Sequence, residues 1–437
     1  MDESPTTAQG TPKRIAMVSY HTCPLASEEG KETGGMNVYV LALAQELAQQ
    51  GFQVDIFTRC QDLDNPPIVH VAPNLRLMHV LAGPPKTIPK KELGQFLPEF
   101  IDNYEKFVAS EKTQYDILHC HYYLSGLVGL EIQERLRSQK KFVPPLVMTF
   151  HTLALMKNLV ARTELEKEDM VRINAEMLLT KRAQKIIAPS ESELRYLEYL
   201  YEVSPTKVAV IPPGVDTEVF RPLNRQLAKR YIHADPNHKI ILFVGRIEPL
   251  KGIDGLIYAM KILTQKHPQE QICLWIVGGD ISQKVEYWSA ELQKLEQLRE
   301  VLKIPGVVKF VGQRPQHELP YYYNAAEVVV MPSHYESFGM AAVEAMACGV
   351  PVITTNVAGV SALLDEKHKA FLTTVNNPLL LASQIEHVLQ DKRKHAEVAA
   401  EIYEKVQDLN WSTIAGKVGE VYEDLLHLSP RAGTSVG

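Results

Sequence analysis

Two stretches in the second half of the chain carry residues suited to binding a phosphorylated sugar. The first, VGRIEPLKG (244–252), follows an apolar run and contains Arg246 and Lys251. Arginine can clamp a phosphate through two hydrogen bonds, and lysine adds a compact positive charge. Because a charged loop at a strand end can also be simply exposed, this stretch alone does not establish a diphosphate site.

The second stretch, SHYESFGMAAVEAMACGVPVI (333–353), combines two carboxylates with a predicted helix start. Phe338 and Gly339 open the helix, whose first N–H groups can bind a phosphate. Glu336 lies in the preceding loop and Glu344 lies inside the helix, and carboxylates accept strong hydrogen bonds from ribose and hexose hydroxyls. The alternative is that Glu336 is a solvated charge and Glu344 an ordinary helix residue. The combination favours a nucleotide sugar as the ligand.

A glycine pair precedes a predicted helix in the first half of the chain. The segment ASEEGKETGGMNVYVLALAQELAQQG (26–51) places Gly34 and Gly35 after an acidic loop and before a helix that we expect to start near Asn37. A helix N-terminus offers unpaired N–H groups, and glycine lets the backbone come close to a ligand. An anion site and a plain tight turn are both compatible with this segment alone.

A second group of polar residues falls where strands of the first half are predicted to end. His151 and Thr152 lie in FHTLALMKN, Tyr122 in HYYLSG, Lys90 in IPKKEL and Arg172 in DMVRINAE. Lysine, tyrosine, threonine and arginine in one converging cluster would suit a phosphate monoester. Each residue taken singly has a plain alternative, as a surface charge, a core tyrosine or a structural histidine. The hypothesis depends on all of them lying at strand ends.

The composition limits the class of protein. A chain of 437 residues predicts two or three domains, and 45% hydrophobic with 22% charged residues is ordinary for a soluble globular protein. The net charge of −6 gives no electrostatic reason to expect nucleic acid or an anionic membrane as a partner. No apolar run approaches the ~20 residues that span a bilayer, and the polar start does not resemble a secretory signal. Five scattered cysteines indicate reduced thiols, so we expect a cytoplasmic protein.

Short apolar runs alternate with helical patterns along the chain, which predicts an α/β fold of two Rossmann-like, doubly wound domains facing a cleft. The predicted strands are 14–20, 52–59, 75–81, 115–121, 145–151 and 185–190, then 239–246, 272–279, 307–312, 327–333 and 351–356. The Pro- and Gly-containing segment 206–224 marks the domain boundary. We expect a disordered lead-in at 1–12, domains at 13–210 and 211–410, a helix crossing back at 411–427 and a disordered tail at 428–437.

No metal and no cofactor are expected. His119 and His121 in HCH would share a strand face, but no nearby motif completes a zinc site. The DLD sequence at 62–64 is followed by NPP and is interpreted as a turn. A nicotinamide-dependent oxidoreductase would need G-x-G-x-x-G after the first strand, and that pattern is missing there.

The stretch ESFGMAAVEAMACGVPVI resembles the E-x-F-G-x-x-x-x-E signature of retaining glycosyltransferases of the two-domain GT-B kind, as do GRIEPLKG and IPPGVD. The resemblance extends over residues 13–427. Within that group, HTCPLASEEGKETGGMNVYV, HYYLSG and FHTLALMKN resemble the mycothiol-pathway enzymes that join N-acetylglucosamine to inositol phosphate. IPKKELGQFLPEF (88–100) is similar to sucrose-phosphate synthases.

The resemblance implies a role for each motif residue. Arg246 and Lys251 would bind the donor pyrophosphate, and Glu344 would bind the ribose. Glu336 and the 338–340 backbone would hold the hexose and a phosphate, the backbone near Arg314 would contact the uracil, and the glycine pair would let its loop close over the pyrophosphate. The implied donor-binding residues are Gly34, Gly35, Arg246, Lys251, Arg314, Glu336, Phe338, Gly339, Met340 and Glu344. The implied catalytic residues are His151, Arg246, Lys251 and Glu336.

The resemblance also implies an acceptor and a mechanism. The matching positions in the inositol-phosphate enzymes bind the acceptor phosphate, which assigns that role here to Lys90, Tyr122, Thr152 and Arg172. The implied mechanism is front-face transfer, in which the leaving phosphate takes the acceptor proton and His151 contacts the donor sugar without acting as the base. The expected partners are a UDP-linked sugar and a phosphorylated acceptor, with no nucleic acid and no membrane span, and with a homodimer as an option.

Several alternatives stay open at this point. The acceptor could be inositol phosphate or, as in a sucrose-phosphate synthase, fructose 6-phosphate, and the donor sugar could be N-acetylglucosamine or glucose. A transferase acting on a non-phosphorylated lipid or polysaccharide would be favoured by an exposed basic and hydrophobic surface, which the sequence does not make obvious. A non-catalytic sugar-nucleotide binding protein would be favoured by loss of Arg246, Lys251, Glu336 or Glu344, and all four are present.

Overall fold

Two β-sheets, each covered by helices, form the framework of the computed structural model. The structure describes residues 12–25, 34–356, 359–364 and 371–428. The predicted lead-in, the predicted tail and the acidic loop before Gly34 therefore fall largely or wholly outside the described residues.

The first sheet has eight strands in the order β3-β4-β2-β1-β5-β6-β7-β8. The strands are β1 (Arg14–Val18), β2 (Gln53–Arg59), β3 (Ile68–Ala72), β4 (Leu75–Val80), β5 (Ile117–His121), β6 (Leu146–Thr149), β7 (Lys185–Ala188) and β8 (Val208–Val210). Their helices are α1 (Gly35–Gln49), α2 (Leu97–Ser110), α3 (Tyr123–Ser138), α4 (Ala154–Val160), α5 (Met170–Arg182) and α6 (Glu191–Tyr201). Ile15 to Val18 in the central strand β1 are completely buried, as expected for a strand covered on both faces.

The second sheet has six parallel strands in the order β11-β10-β9-β12-β13-β14. The strands are β9 (Lys239–Val244), β10 (Ile272–Val277), β11 (Val308–Gly312), β12 (Val328–Met331), β13 (Val352–Thr355) and β14 (Leu372–Thr373). The helices are α7 (Arg225–Tyr231), α8 (Ile253–Lys266), α9 (Ala290–Val301), α10 (Leu319–Ala325), α11 (Met340–Ala347), α12 (Pro378–Gln390), α13 (Lys392–Gln407) and α14 (Trp411–Leu428). None of the helices in the described part of the chain is long and apolar enough to cross a membrane.

The predicted pair of α/β domains is confirmed, with one correction to the pairing of the strands. The edge strand β3 runs antiparallel to β4, whereas all other pairs of named strands are parallel. Only Pro73 and Asn74 separate β3 from β4, and a two-residue connection can join only antiparallel strands. Asn74 has φ of 62°, the left-handed conformation that such tight turns require.

The last helix, α14, packs against α1 on the first sheet's side of the molecule. The Tyr422 hydroxyl lies 2.6 Å from Nδ1 of His119 in β5. The chain crosses over beside Gly214, which packs against Trp411. A side chain at Gly214 would place its Cβ 2.5 Å from the Trp411 indole, so only glycine fits there. The C-terminal segment therefore contributes a buried tyrosine to the framework of the first sheet.

Candidate active site

The carboxyl ends of the two sheets face each other across a cleft, and one loop of the second sheet touches the first. This loop, residues 332–339, connects β12 to α11 and is called the β12–α11 loop below. The Leu153 amide, just beyond β6, points at the Tyr335 hydroxyl at 3.4 Å. The Ser337 hydroxyl donates to Glu193 of α6 at 2.8 Å. Open α/β sheets bind ligands outside the carboxyl ends of their strands, so this cleft is the expected binding site.

Lys251 and Glu336 form an ion pair beyond the carboxyl ends of the strands of the second sheet. Lys251 Nζ lies 2.5 Å from Glu336 Oε2, and the two side chains are only 12% and 18% exposed. The next residue, Gly252, has φ of 64°, and a Cβ there would lie 2.3 Å from the Pro332 carbonyl oxygen. Glycine at this position therefore allows the Lys251 loop to pack directly on the β12–α11 loop. The pair joins two motifs that are far apart in the sequence.

Arg246 lies just beyond β9 and is half exposed, with its guanidinium 2.7 Å from Glu248. Gly34 and Gly35 of the other domain lie opposite. A Cβ built on Gly34 would be 3.8 Å from Arg246 Cδ, and one on Gly35 would be 3.2 Å from Met340 Sδ. The structure thus brings the glycine pair next to the residues predicted to bind the donor. Helix α1 begins at Gly35, two residues earlier than we expect from the sequence.

The N-terminus of α11 has no side-chain cap. Gly339 precedes the helix with φ of 100°, a conformation that favours glycine, and the first turn contains no acidic side chain. Phe338 is buried beside it. The first N–H groups of such a helix are suited to a phosphate oxygen. Arg314, by contrast, is exposed beyond β11, two strands away from β9, and donates to the Val311 carbonyl.

Glu344 in α11 is buried and accepts a hydrogen bond from the Tyr323 hydroxyl at 2.7 Å. Burial raises the pKa of Glu344 to about 7, while the bond from Tyr323 acts in the opposite direction. Because a carboxylate oxygen accepts more than one hydrogen bond, Glu344 keeps accepting capacity for sugar hydroxyls. Donation from such hydroxyls would favour the charged form of Glu344.

Arg172 is the centre of the predicted acceptor cluster. It is 3% exposed, and its Nη2 donates to the carbonyl and the hydroxyl of Thr152 at 2.9 and 3.0 Å. Its Nε donates to the fully buried Glu176 at 2.7 Å, and its guanidinium carbon lies 4.9 Å from the Tyr122 ring centre. The structure therefore brings Tyr122, Thr152 and Arg172 together at the ends of β5 and β6.

Lys90 belongs to the same region, at the start of a short 3₁₀ helix, Lys90–Phe96. The pKa of His21 is lowered mainly by burial and further by the charges of Lys90 and Arg172, and His151 acts in the same direction. His21 lies beyond β1, its ring centre is 4.5 Å from that of Tyr122, and its Nδ1 has no hydrogen-bond partner within the described residues. The sequence analysis missed His21, although its position at a strand end was a usable signal.

Lys157 and Glu168 are two further charged residues that the sequence analysis did not select. Glu168 Oε1 bonds both Lys157 Nζ and Arg172 Nη1, the latter at 2.9 Å. The charges of Arg172 and Lys157 keep the pKa of Glu168 below its usual value, and they outweigh the opposing effect of burial. A carboxylate thus lies between two cations, one of which, Arg172, also donates to the Thr152 hydroxyl. Lys157 belongs to the FHTLALMKN motif, but nothing in the sequence links it to Glu168.

Two site residues have backbone conformations that are unusual for a side-chain-bearing residue. Tyr122 and His151, which follow the adjacent strands β5 and β6, have φ of 75° and 62°. Such strained residues concentrate at functional sites. His151 Nε2 lies 3.0 Å from Nδ1 of His121, and burial lowers the pKa of His151 to about 3, so its ring is neutral at pH 7.

His119 and His121 share a face of β5, with ring centres 4.2 Å apart. The two nitrogens of His119 lie 2.6 Å from the Tyr422 hydroxyl and 2.9 Å from the Thr149 hydroxyl. Among the described residues no group of three or more histidine, cysteine or acidic side chains is arranged to hold a metal ion. Within that part of the chain, the histidines form hydrogen bonds and ring contacts.

Comparison with known proteins agrees with this geometry. Residues 33–219 match the family described as Glycosyltransferase Family 4, and residues 224–405 match the family described as Glycosyl transferases group 1. A D-inositol 3-phosphate glycosyltransferase from Corynebacterium efficiens is 33% identical over 414 residues, covering 94% of this chain and 95% of the relative.

Solved structures of similar proteins share this fold. A sucrose-phosphate synthase from Thermosynechococcus elongatus superposes with a TM-score of 0.85 at 31% identity, covering 95% of this chain and 100% of the other. The Anabaena protein HepE, solved in complex with UDP and glucose, shares the fold with a TM-score of 0.71 at 20% identity, over 94% and 99% of the two chains. The chain therefore belongs to the GT-B glycosyltransferase family that contains the D-inositol 3-phosphate glycosyltransferases.

Proposed function

We propose that the protein transfers a hexosyl group from a UDP-linked sugar to a phosphorylated small acceptor, with retention of the anomeric configuration. The observation that carries the proposal is the buried Arg172, whose guanidinium faces the Thr152 hydroxyl at the cleft end of β6. A buried arginine beside hydroxyl groups is suited to a phosphate. The names of the relatives, D-inositol 3-phosphate glycosyltransferase and sucrose-phosphate synthase, both contain a phosphorylated small molecule.

The second domain supplies the donor site in this proposal. Lys251 and Arg246 would bind the diphosphate together with the N-terminus of α11, and Glu344 would accept hydrogen bonds from the ribose. Glu336 neutralises Lys251. We infer that Lys251 interacts with both the diphosphate and Glu336. Glu336, held in place by Lys251, binds hydroxyls of the hexose. Gly34 and Gly35 would allow the first domain to approach the diphosphate from the opposite side.

The first domain supplies the acceptor site. Glu168 bridges Lys157 and Arg172, and both Glu168 and Lys157 are more exposed than Arg172. The acceptor phosphate would replace Glu168 beside Arg172 and would also contact Thr152 and Tyr122. Exchange of one anion for another keeps the buried guanidinium neutralised, which avoids the large cost of an unpaired buried charge. Lys90, which is exposed, would contact the acceptor phosphate from the solvent side of the site.

The reaction would proceed at one face of the donor sugar. The bond from the anomeric carbon to the diphosphate oxygen breaks, the acceptor hydroxyl forms the new bond, and its proton passes to the departing diphosphate. Lys251, Arg246 and the α11 N-terminus oppose the charge that develops on the leaving group, which is electrostatic catalysis. His151 is neutral at pH 7 because its pKa is about 3, so we assign it to donor-sugar contact and not to proton abstraction.

A UDP-release assay tests the proposal. The purified chain is incubated with UDP-glucose or UDP-N-acetylglucosamine, each combined with inositol phosphate, fructose 6-phosphate and their unphosphorylated counterparts. The proposal expects UDP release above donor hydrolysis with at least one phosphorylated acceptor, and a product whose anomeric configuration by NMR matches the donor. Absence of release in every combination, or an inverted product, would overturn it.

Sucrose-phosphate synthesis from UDP-glucose and fructose 6-phosphate is a second candidate. The TM-score of 0.85 over essentially the whole chain favours it. The same assay separates the two candidates by acceptor. All five cysteines are buried thiols, which agrees with a cytoplasmic location where thiols stay reduced. A homodimer stays a prediction.

A further inference from the structure

We propose that Glu193 in the acceptor domain is a positioning residue for the donor site, because it holds Ser337 in the β12–α11 loop. The inference deepens the proposed function and rests on it. Glu193 is 1% exposed, and its Oε2 accepts the Ser337 hydroxyl at 2.8 Å. Ser337 lies between Glu336, which pairs with Lys251, and the Phe338–Gly339 entry to α11. A residue of one domain therefore fixes the loop that carries the other domain's ligand groups.

Further contacts in both domains hold Glu193 and Ser337 in position. Ser190 caps α6 by accepting the Glu193 amide at 3.2 Å, which fixes the start of the helix that bears the carboxylate. On the other side, Val360 N donates to the Phe338 carbonyl at 2.8 Å. A Cβ at Gly359 would lie 2.7 Å from the Phe338 ring and 3.0 Å from Ser190 Cβ. The Ser337–Phe338 segment is therefore enclosed between α6 and residues 359–360.

A second contact anchors the same loop. Tyr335 is buried in a hydrophobic cluster whose other members all come from the first domain. Its hydroxyl lies 3.4 Å from the Leu153 amide and 3.9 Å from the Met156 sulfur. Leu153 follows directly after His151 and Thr152 of the proposed acceptor site. Tyr335 and Ser337 therefore bracket Glu336 and attach it to the acceptor domain on both sides.

This arrangement has a functional consequence. The hydroxyl-binding carboxylate Glu336 and the α11 N-terminus have their present geometry only while the two domains are in contact. Breaking the Glu193–Ser337 bond leaves a buried carboxylate or hydroxyl without its partner and loosens the loop. Donor affinity should then fall although no residue that touches the donor has changed. Glutamine at position 193 retains an acceptor oxygen for Ser337, so it should largely preserve the function.

The experiment uses the full chain and four variants: Glu193→Ala, Glu193→Gln, Ser337→Ala and the Glu193→Ala/Ser337→Ala double variant. Glu191→Ala removes an exposed carboxylate from the same turn of α6 and serves as the matched control. Calorimetry gives the Kd for UDP, and hydrogen exchange gives the protection of the 335–347 segment without ligand. We expect each alanine variant to weaken UDP binding about tenfold and to speed exchange in that segment. The double variant should be no worse than the single ones.

The outcomes separate this inference from the proposed function. Unchanged Kd and unchanged exchange in both Glu193→Ala and Ser337→Ala, with wild type binding UDP, would overturn the positioning role. So would a Glu193→Gln variant as impaired as Glu193→Ala. If wild type binds no UDP but the exchange changes appear, the donor assignment is wrong and the positioning of the loop stands. If Glu193→Ala does not fold, Ser337→Ala tests the same bond from the other side of the interface.

Discussion

Lys251 Nζ lies 2.5 Å from Glu336 Oε2, although the two residues are 85 positions apart in the chain. The pair joins the loop after β9 to the loop before α11, and it is mostly shielded from solvent. Each partner compensates the charge of the other. In the proposed donor site, the diphosphate would meet a cation that is fixed in position, which is the condition for strong electrostatic stabilisation of a leaving group.

Replacement of Lys251 by alanine should reduce turnover strongly while the protein stays folded. Loss of one preorganised contact to a developing anion costs about 10²–10³ in kcat. Lys266→Ala removes an exposed lysine from the same domain and should have little effect. The rates come from UDP release and the fold from circular dichroism. Near-normal turnover in a folded Lys251→Ala protein would remove this lysine from the diphosphate site.

Replacement of Glu168 by glutamine should strengthen acceptor binding. Glu168 pairs with both Arg172 and Lys157. In the proposed acceptor site this carboxylate would compete with the acceptor phosphate, and a neutral amide would compete less well. We expect the acceptor KM, and the inhibition constant of inorganic phosphate, to fall about tenfold, the equivalent of one charged hydrogen bond. The exposed Glu164→Gln is the matched control. An unchanged or higher KM in Glu168→Gln would mean that Glu168 only supports the fold.

The buried carboxyl of Glu344 makes folding stability depend on pH. Burial raises its pKa from the ordinary 4.5 to about 7. Between these values the folded protein retains a proton that the unfolded chain releases, so this group's contribution is fully present below pH 4.5 and is lost as the pH rises through 7. Glu344→Gln should therefore raise the Tm relative to wild type at pH 8, by an amount equivalent to about 1–3 kcal/mol, and change it little at pH 4.5.

The measurement is a series of thermal melts between pH 4.5 and 8 on wild type, Glu344→Gln and the exposed control Glu191→Gln. Glutamine keeps an acceptor for the Tyr323 hydroxyl, so the variant isolates the charge. A Tm difference between wild type and Glu344→Gln that is the same at every pH would show that Glu344 does not titrate in this range.

The sequence predicted most of the framework because its strands are short, largely apolar and separated by helical patterns. It missed β3, a half-exposed edge strand, and β14, which has only two residues. It also missed β8, which lies in the segment 206–224 that we assigned to the domain boundary. Edge strands bury little apolar surface, so their hydrophobic pattern is weak.

Part of the candidate site could be predicted because the residue follows a strand or opens a helix. Arg246, Thr152 and Gly339 have such positions. Glu168 and Glu193 have no local signal, because their roles depend on contacts with Arg172 and Ser337 that only the tertiary structure creates. The assignment of each site residue to donor or acceptor stays a prediction.

Arg172 gives the sharpest test of the acceptor, but it is buried against Glu176, and its removal leaves an unpaired buried carboxylate. Arg172→Lys, which keeps a charge near Glu176, is therefore measured beside Arg172→Ala. Arg182→Ala, at the exposed end of the same helix, is the control. Only variants that remain folded by circular dichroism and bind UDP like wild type enter the comparison, because the proposed UDP site lies in the other domain.

The decisive measurement is kcat/KM on a phosphorylated acceptor and on its unphosphorylated counterpart, for wild type and the Arg172 variants. We expect wild type to prefer the phosphorylated acceptor strongly. Loss of the Arg172 contact should lower kcat/KM on that acceptor by about 10- to 100-fold and affect the unphosphorylated one much less. The two changes should be non-additive, since both remove the same contact. Equal losses on both acceptors, or a wild type that prefers the unphosphorylated one, would contradict transfer to a phosphorylated acceptor.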